Sequence, residues 1–190
     1  LDNGTDPAGD SGQIGYDRRS WTRADYDDSG WKTGAGPFGA YLGQLEHSEG
    51  NPVTSLLDGT REEAEKEEST PTYFFRTTVE LTEEDLAGMN RIQGHVIFDD
   101  AVIVYINGQE VAQHFTLDYE ENVAFGSERG RDTVLEGDIL CADPASLLHV
   151  GENVIAVELH QASNRPERAY RKLELSLSGD ELPLRPEGMC

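Results

Sequence analysis

The stretch Ala101-Val102-Ile103-Val104-Tyr105-Ile106-Asn107-Gly108-Gln109-Glu110-Val111-Ala112-Gln113-His114 decides the fold. Asn-Gly is the dipeptide best suited to a two-residue type I′ turn, because both central residues take positive φ there. The stretch therefore predicts a strand over 101–106, a tight turn, and a returning strand over 109–114. Upstream, Arg91 to Phe98 predicts another strand, joined to the hairpin by a turn at Asp99-Asp100. Before it, Tyr73, Phe75, Thr77, Val79 and Leu81 alternate with Phe74, Arg76, Thr78 and Glu80, the period of two of a half-buried strand. Thr82-Glu83-Glu84-Asp85 supplies an N-cap and first-turn acids for one helical turn ending at Gly88. Downstream, the polar run Thr116 to Asp138 predicts a long loop with at most short strands, of a length that often rims a site. Asp143 to Leu148 predicts one more helical turn and Gly151-Glu152-Asn153 a turn. Val154 to His160 and Lys172 to Leu177 alternate as two further strands.

Strands dominate, helices are single turns, and no ten-residue amphipathic helix links two strands. The fold class is all-β: an antiparallel β-sandwich, here a jelly roll with one or two single-turn helices. Residues 1–20 read as an irregular lead-in, 21–180 as the domain and 181–190 as a tail. Trp21 to Tyr41 holds two tryptophans among many turn residues, a folded loop anchored by its aromatics. The acidic run within Thr60 to Thr72 reads as an exposed insertion.

The chain has 190 residues, 36% of them hydrophobic, enough for one sizeable core. Its 15 Lys and Arg stand against 37 Asp and Glu, a net charge of −22 that repels phosphate backbones and anionic headgroups. Nucleic acid is excluded as a partner; cations, neutral glycans and basic proteins are not. No apolar run is long enough to insert into a membrane. Cys141 and Cys190 can make at most one disulfide and leave the compartment open. A chain opening on Leu1, with no basic-then-apolar leader, is expected to be a piece of something longer.

Several short motifs occur in order: Trp21, Asp27-Asp28-Ser29-Gly30-Trp31, Gly36-Pro37-Phe38-Gly39, Tyr73-Phe74-Phe75-Arg76, Asp99-Asp100, Val104-Tyr105-Ile106-Asn107-Gly108, and Gly151-Glu152-Asn153-Val154-Ile155-Ala156-Val157 closing on His160-Gln161. Together they resemble the galactose-binding-like jelly rolls, and more narrowly the accessory domains beside metallophosphoesterases and other extracellular bacterial hydrolases and the sugar-binding domains of glycosidases. Ala101 stands where relatives place a glycine after the paired aspartates. The resemblance implies a non-catalytic module with, in many members, a structural calcium ion.

Asp25, Asp27 and Asp28 begin like the calcium loop of a helix–loop–helix motif, but its twelfth position is Gly36 where a bidentate Glu belongs, so that motif fails. A jelly-roll calcium site would draw on backbone carbonyls and distant carboxylates, with Asp25, Asp99, Asp100 and Glu158 as candidates. Asp27 and Asp28 read more simply as acceptors inside a turn. His95, His114 and His160 end or flank strands without ligand-pair spacing and read as structural. Arg76, Tyr105, His160 and Gln161 are the candidate ligand-binding residues, on a sheet face or at a strand end where sandwich loops gather. Arg76 reads better as the buried partner of an aspartate, and Trp21 and Trp31 as core anchors. The chain has no nucleophile elbow, no phosphate loop and no activated cysteine.

The expected function is a non-catalytic carbohydrate-binding or domain-docking module of a secreted or cell-surface bacterial protein. Its partner is a carbohydrate or a neighbouring catalytic domain. A metal-dependent hydrolase built on loop carboxylates and His160, and a structural spacer, are the alternatives.

Overall fold

The computed structural model describes residues 5–40, 55–56, 70–115, 135–161 and 171–180. Among them lie β1 (Phe38–Ala40), β2 (Ser55–Leu56), β3 (Thr72–Leu81), α1 (Glu83–Leu86), β4 (Arg91–Asp99), β5 (Ala101–Ile106), β6 (Gln109–His114), β7 (Leu135–Cys141), β8 (Gly151–His160) and β9 (Arg171–Asp180). Single 3-10 turns cover Ser20–Thr22 and Pro144–Ser146.

The hairpin forms as its sequence dictates: Asn107 at φ 49° and Gly108 at φ 83° turn β5 directly into β6. From this turn outward the chain doubles back on itself. β5 pairs with β6, β4 with β7, β3 with β8 and β1 with β9, all antiparallel. Successive pairs fall in alternate sheets, which the β4·β9 and β5·β8 ladders complete. The result is a five-stranded sheet in the order β2-β1-β9-β4-β7 facing a four-stranded sheet in the order β3-β8-β5-β6. A nested hairpin wrapped across two sheets is a jelly roll. β2 extends it by a short parallel pairing on β1.

The sandwich core is filled by the inward residues of both sheets, among them Tyr73, Val96, Phe98, Val104, Ile139 and Leu159. A second cluster lies on the outer face of the four-stranded sheet. There Trp21 packs on Phe74, Ile103, Tyr105, Val154 and Ala156, with Ala8, Tyr26 and Trp31 around it. Residues 5–31 thus supply a strap over this face, which is why all six residues of β5 are buried instead of every second one. Trp21 meets Phe74 and Tyr105 edge-on, at ring separations of 5.2 and 6.0 Å.

The first helical turn is fixed by a reciprocal cap. The Thr82 hydroxyl accepts from the Asp85 amide, and the Asp85 carboxylate accepts from the Thr82 amide and hydroxyl.

Four sequence expectations change. Residues 135–141 form β7, a full strand, where the polarity of Thr116 to Asp138 implies a loop; residues 116–134 lie outside the described residues. Gly151-Glu152-Asn153 begins β8 instead of turning, because Leu81, Glu80 and Val79 of β3 already pair with it. β9 is longer than Lys172 to Leu177. The loop after Trp31 ends in β1, a short strand held by β9. The acidic insertion, residues 181–190 and Cys190 lie outside the described residues or largely so.

Candidate functional site

Two places gather chemistry. The first is under the strap. On β8, Val157 and Leu159 face the sandwich core, so Glu158 and His160 face outward, opposite Phe74 and Thr72 of β3. Glu158 is fully buried, and its charge is balanced by converging groups. Arg18 Nη2 donates to its Oε2 at 2.9 Å, Tyr105 donates its hydroxyl to Oε1 at 3.0 Å, and His160 Nε2 lies 3.0 Å from Oε2. With a proton on Nε2 toward the carboxylate, Nδ1 of His160 is left to accept from the Thr72 hydroxyl, 3.2 Å away. Burial opposes the Arg18 charge, but the Glu158 carboxylate together with Tyr105 and Tyr16 outweighs it and the guanidinium pKa is raised. Burial, then Glu158, pushes the Tyr105 phenol far above its ordinary value, so it remains a donor.

Arg76 fastens the other end of the strap. Its side chain is 3% exposed; Nε donates to Asp28 Oδ2 at 2.7 Å and Nη1 to the carbonyls of Trp21 and Arg23. The guanidinium also lies over the Tyr26 ring, 5.3 Å from its centroid. Gln161 closes the corner at the end of β8, donating its side-chain amide to the Asp99 carbonyl at 3.0 Å and its backbone N–H to the Pro71 carbonyl at 2.9 Å. The four residues singled out for ligand binding, Arg76, Tyr105, His160 and Gln161, therefore all lie in the interior. Tyr105 and His160 meet at Glu158; Arg76 and Gln161 serve separate contacts.

The carboxylates expected to hold calcium do not assemble. Asp25 is exposed on the strap, Asp99 is buried at the end of β4, Asp100 follows it across a cis peptide, and both Glu158 oxygens face Arg18, His160 and Tyr105. Among the described residues no three of His, Cys, Asp and Glu converge as metal ligands would.

The second place is the open outer face of the five-stranded sheet. Strand alternation and register set it out in rows. Leu140, Gln93 and Ser178 form one, Asp138, His95 and Ser176 the next, and Glu136, Ile97 and Glu174 a third. The first two rows, with Arg91, line a shallow depression of about 580 Å³. The small serines of β9 keep one side of it low, beside the larger side chains of β4 and β7. His95 is oriented from β7, with Nδ1 at 3.2 Å from Asp138 Oδ1 and Nε2 at 3.6 Å from Glu136 Oε2. The depression combines an amide, an imidazole, a carboxylate, a guanidinium and two hydroxyls with one exposed leucine.

Sequence reading did not single out Gln93, Asp138, Ser176 or Ser178, and treated His95 as a strand-flanking imidazole. The signal was the outward half of the predicted strands 91–98 and 172–177. Asp138 was hidden because its strand reads as loop.

Fold and site together define an all-β sandwich of jelly-roll topology with one strapped face and one open polar face. No family model matches the sequence, and no curated protein matches it. Parts of solved glycosidases are similar in structure. α-L-Rhamnosidase from Dictyoglomus thermophilum is 16% identical with a TM-score of 0.38, over 56% of this chain and 11% of that one. α-L-Rhamnosidase from Streptomyces avermitilis, complexed with L-rhamnose, is 21% identical with a TM-score of 0.35, over 56% of this chain and 8% of that one. β-D-Mannosidase from Dictyoglomus thermophilum is 17% identical with a TM-score of 0.32, over 54% and 10%. The match thus spans about a tenth of the length of these solved chains. No helix among the described residues is long and apolar enough to cross a membrane.

Proposed function

We propose that this chain is a non-catalytic jelly-roll module of a secreted or cell-surface bacterial protein, and that it binds carbohydrate on the open face of its five-stranded sheet. The observation that carries this reading is the depression across β7, β4 and β9. Sugar hydroxyls both donate and accept, and Gln93, His95, Asp138, Ser176 and Ser178 offer both functions within two adjacent rows. Leu140, 66% exposed at the rim, offers an apolar surface for the C–H face of a ring. A solvated face of this kind binds through several modest hydrogen bonds, which suits a module that holds a polymer instead of transforming it.

The test is a titration of the chain with a broad glycan panel, followed by amide and imidazole chemical shifts. Binding that moves Gln93 and His95, and that weakens at least about tenfold in Gln93→Ala/His95→Ala with the unfolding midpoint retained, supports the reading. No saturable glycan, or full affinity in the double variant, overturns it and favours the spacer. Leu140 also supports a second reading, docking of this face on a neighbouring catalytic domain. In that case Leu140→Ser weakens association with the domain, and added sugar does not compete.

A further inference from the structure

We infer, resting on the glycan reading above, that this face takes an uncharged glycan chain of more than one unit and rejects chains bearing uronate or sulfate groups. The argument starts from the charges bordering the depression. Glu136 and Asp138 project from β7 with side chains 69% and 92% exposed, and Glu174 is exposed on β9 in the row beyond His95. Arg91 is the one Lys or Arg among the lining residues. The imidazole of His95 faces two carboxylates, so even its protonated form leaves a net negative local charge. An anionic sugar laid over the His95 row meets this field within a Debye length of roughly 10 Å at 0.1 M salt.

The length of the ligand follows from the strands. Three adjacent strands line the depression, a span of roughly 10 Å at ordinary strand spacing, more than one sugar ring needs. Among the described residues β7 is the last strand of its sheet, and no described strand walls the depression at that edge, where a chain can continue.

The test titrates the whole chain with matched neutral and uronate oligosaccharides, of one, two and four units, at low and moderate salt. The readout is the chemical shifts of Gln93 and His95. The expected result is tighter binding of neutral dimers and tetramers than of the monomer. The uronate series should bind at least about tenfold more weakly at low salt, with a gap that narrows as salt rises. Glu174→Gln, a residue outside the depression lining, should narrow the same gap without changing neutral affinity. Uronate chains that bind as well as neutral ones, a gap untouched by salt and by Glu174→Gln, or neutral monomers binding as tightly as tetramers, overturn the inference and leave the glycan reading standing. Failure of every series to move Gln93 or His95 overturns both.

Discussion

Arg18 and Glu158 stand 140 positions apart in the chain and meet at 2.9 Å, with the carboxylate fully buried and the guanidinium side chain 18% exposed. The contact ties the strap to β8 through the one outward carboxylate that Tyr105 and His160 also bond. Removing either partner leaves the other charge largely out of water, so Arg18→Met or Glu158→Gln is expected to cost about 3 kcal/mol of unfolding free energy. Because both variants lose the same pair, the double variant should cost clearly less than the sum. Urea unfolding of the four proteins measures it; additive losses would mean that Arg18 and Glu158 act independently.

The cap of α1 responds to acid. The Thr82 hydroxyl, then its amide, holds the Asp85 carboxyl below its ordinary value of 3.8. A carboxyl lowered in the folded state stabilises fully above its unfolded pKa and loses that contribution as pH falls through the folded one. Wild type should therefore exceed Asp85→Asn in unfolding temperature at pH 6, and the difference should close as the pH falls below about 3.8. Thermal unfolding at pH 6, 5, 4 and 3 checks this, and a gap that does not narrow between pH 4 and pH 3 contradicts it.

Gly94 is a packing position at the centre of β4. A Cβ there would meet the Leu177 side chain and approach the Ser176 carbonyl oxygen at 2.5 Å, so relief requires β9 to move. Gly94→Ala is expected to destabilise by about 2 kcal/mol through overpacking. Gly30→Ala, where a Cβ meets nothing within 4 Å, serves as the control and should be near neutral. Equal unfolding midpoints for the two variants would refute the close approach.

A net charge of −22 on one chain repels itself. Exposed charges are screened by salt and the buried Arg18–Glu158 pair much less so, so the unfolding temperature should rise between about 10 and 150 mM sodium chloride. Calorimetry at fixed pH measures the trend. A flat or falling midpoint would show that self-repulsion is not a significant term in the folded state.

The strands with uninterrupted alternation or an Asn-Gly turn were legible in the sequence. Thr72–Leu81, Ala101–Ile106 and Gln109–His114 coincide with their expected bounds. β7 was not, because Leu135-Glu136-Gly137-Asp138-Ile139 places a glycine where an inward apolar residue would reveal the period. The structure explains that glycine: a Cβ at 137 would come within 2.5 Å of His114 Nε2. The jelly-roll class was legible too, whereas the order of strands in each sheet was read only from the structure. The chemistry was harder to read, since Arg18 and Tyr105, two of the three partners of Glu158, lie in the strap and on β5, and sequence distance hides both. Arg76 was legible as an aspartate's partner, yet nothing marked Asp28 as that aspartate until the strap crossed the sheet.

The nested pairing has a kinetic corollary. Ile106 and Gln109 close first with almost no loop, whereas Phe38 waits for Leu173 across the whole domain. Each outer pair becomes affordable in entropy only after the inner ones have drawn its ends together. Refolding should therefore spread outward from Asn107-Gly108. In a pulse of hydrogen exchange, amides of β5 and β6 should become protected before those of β3 and β8, and the β1·β9 ladder last.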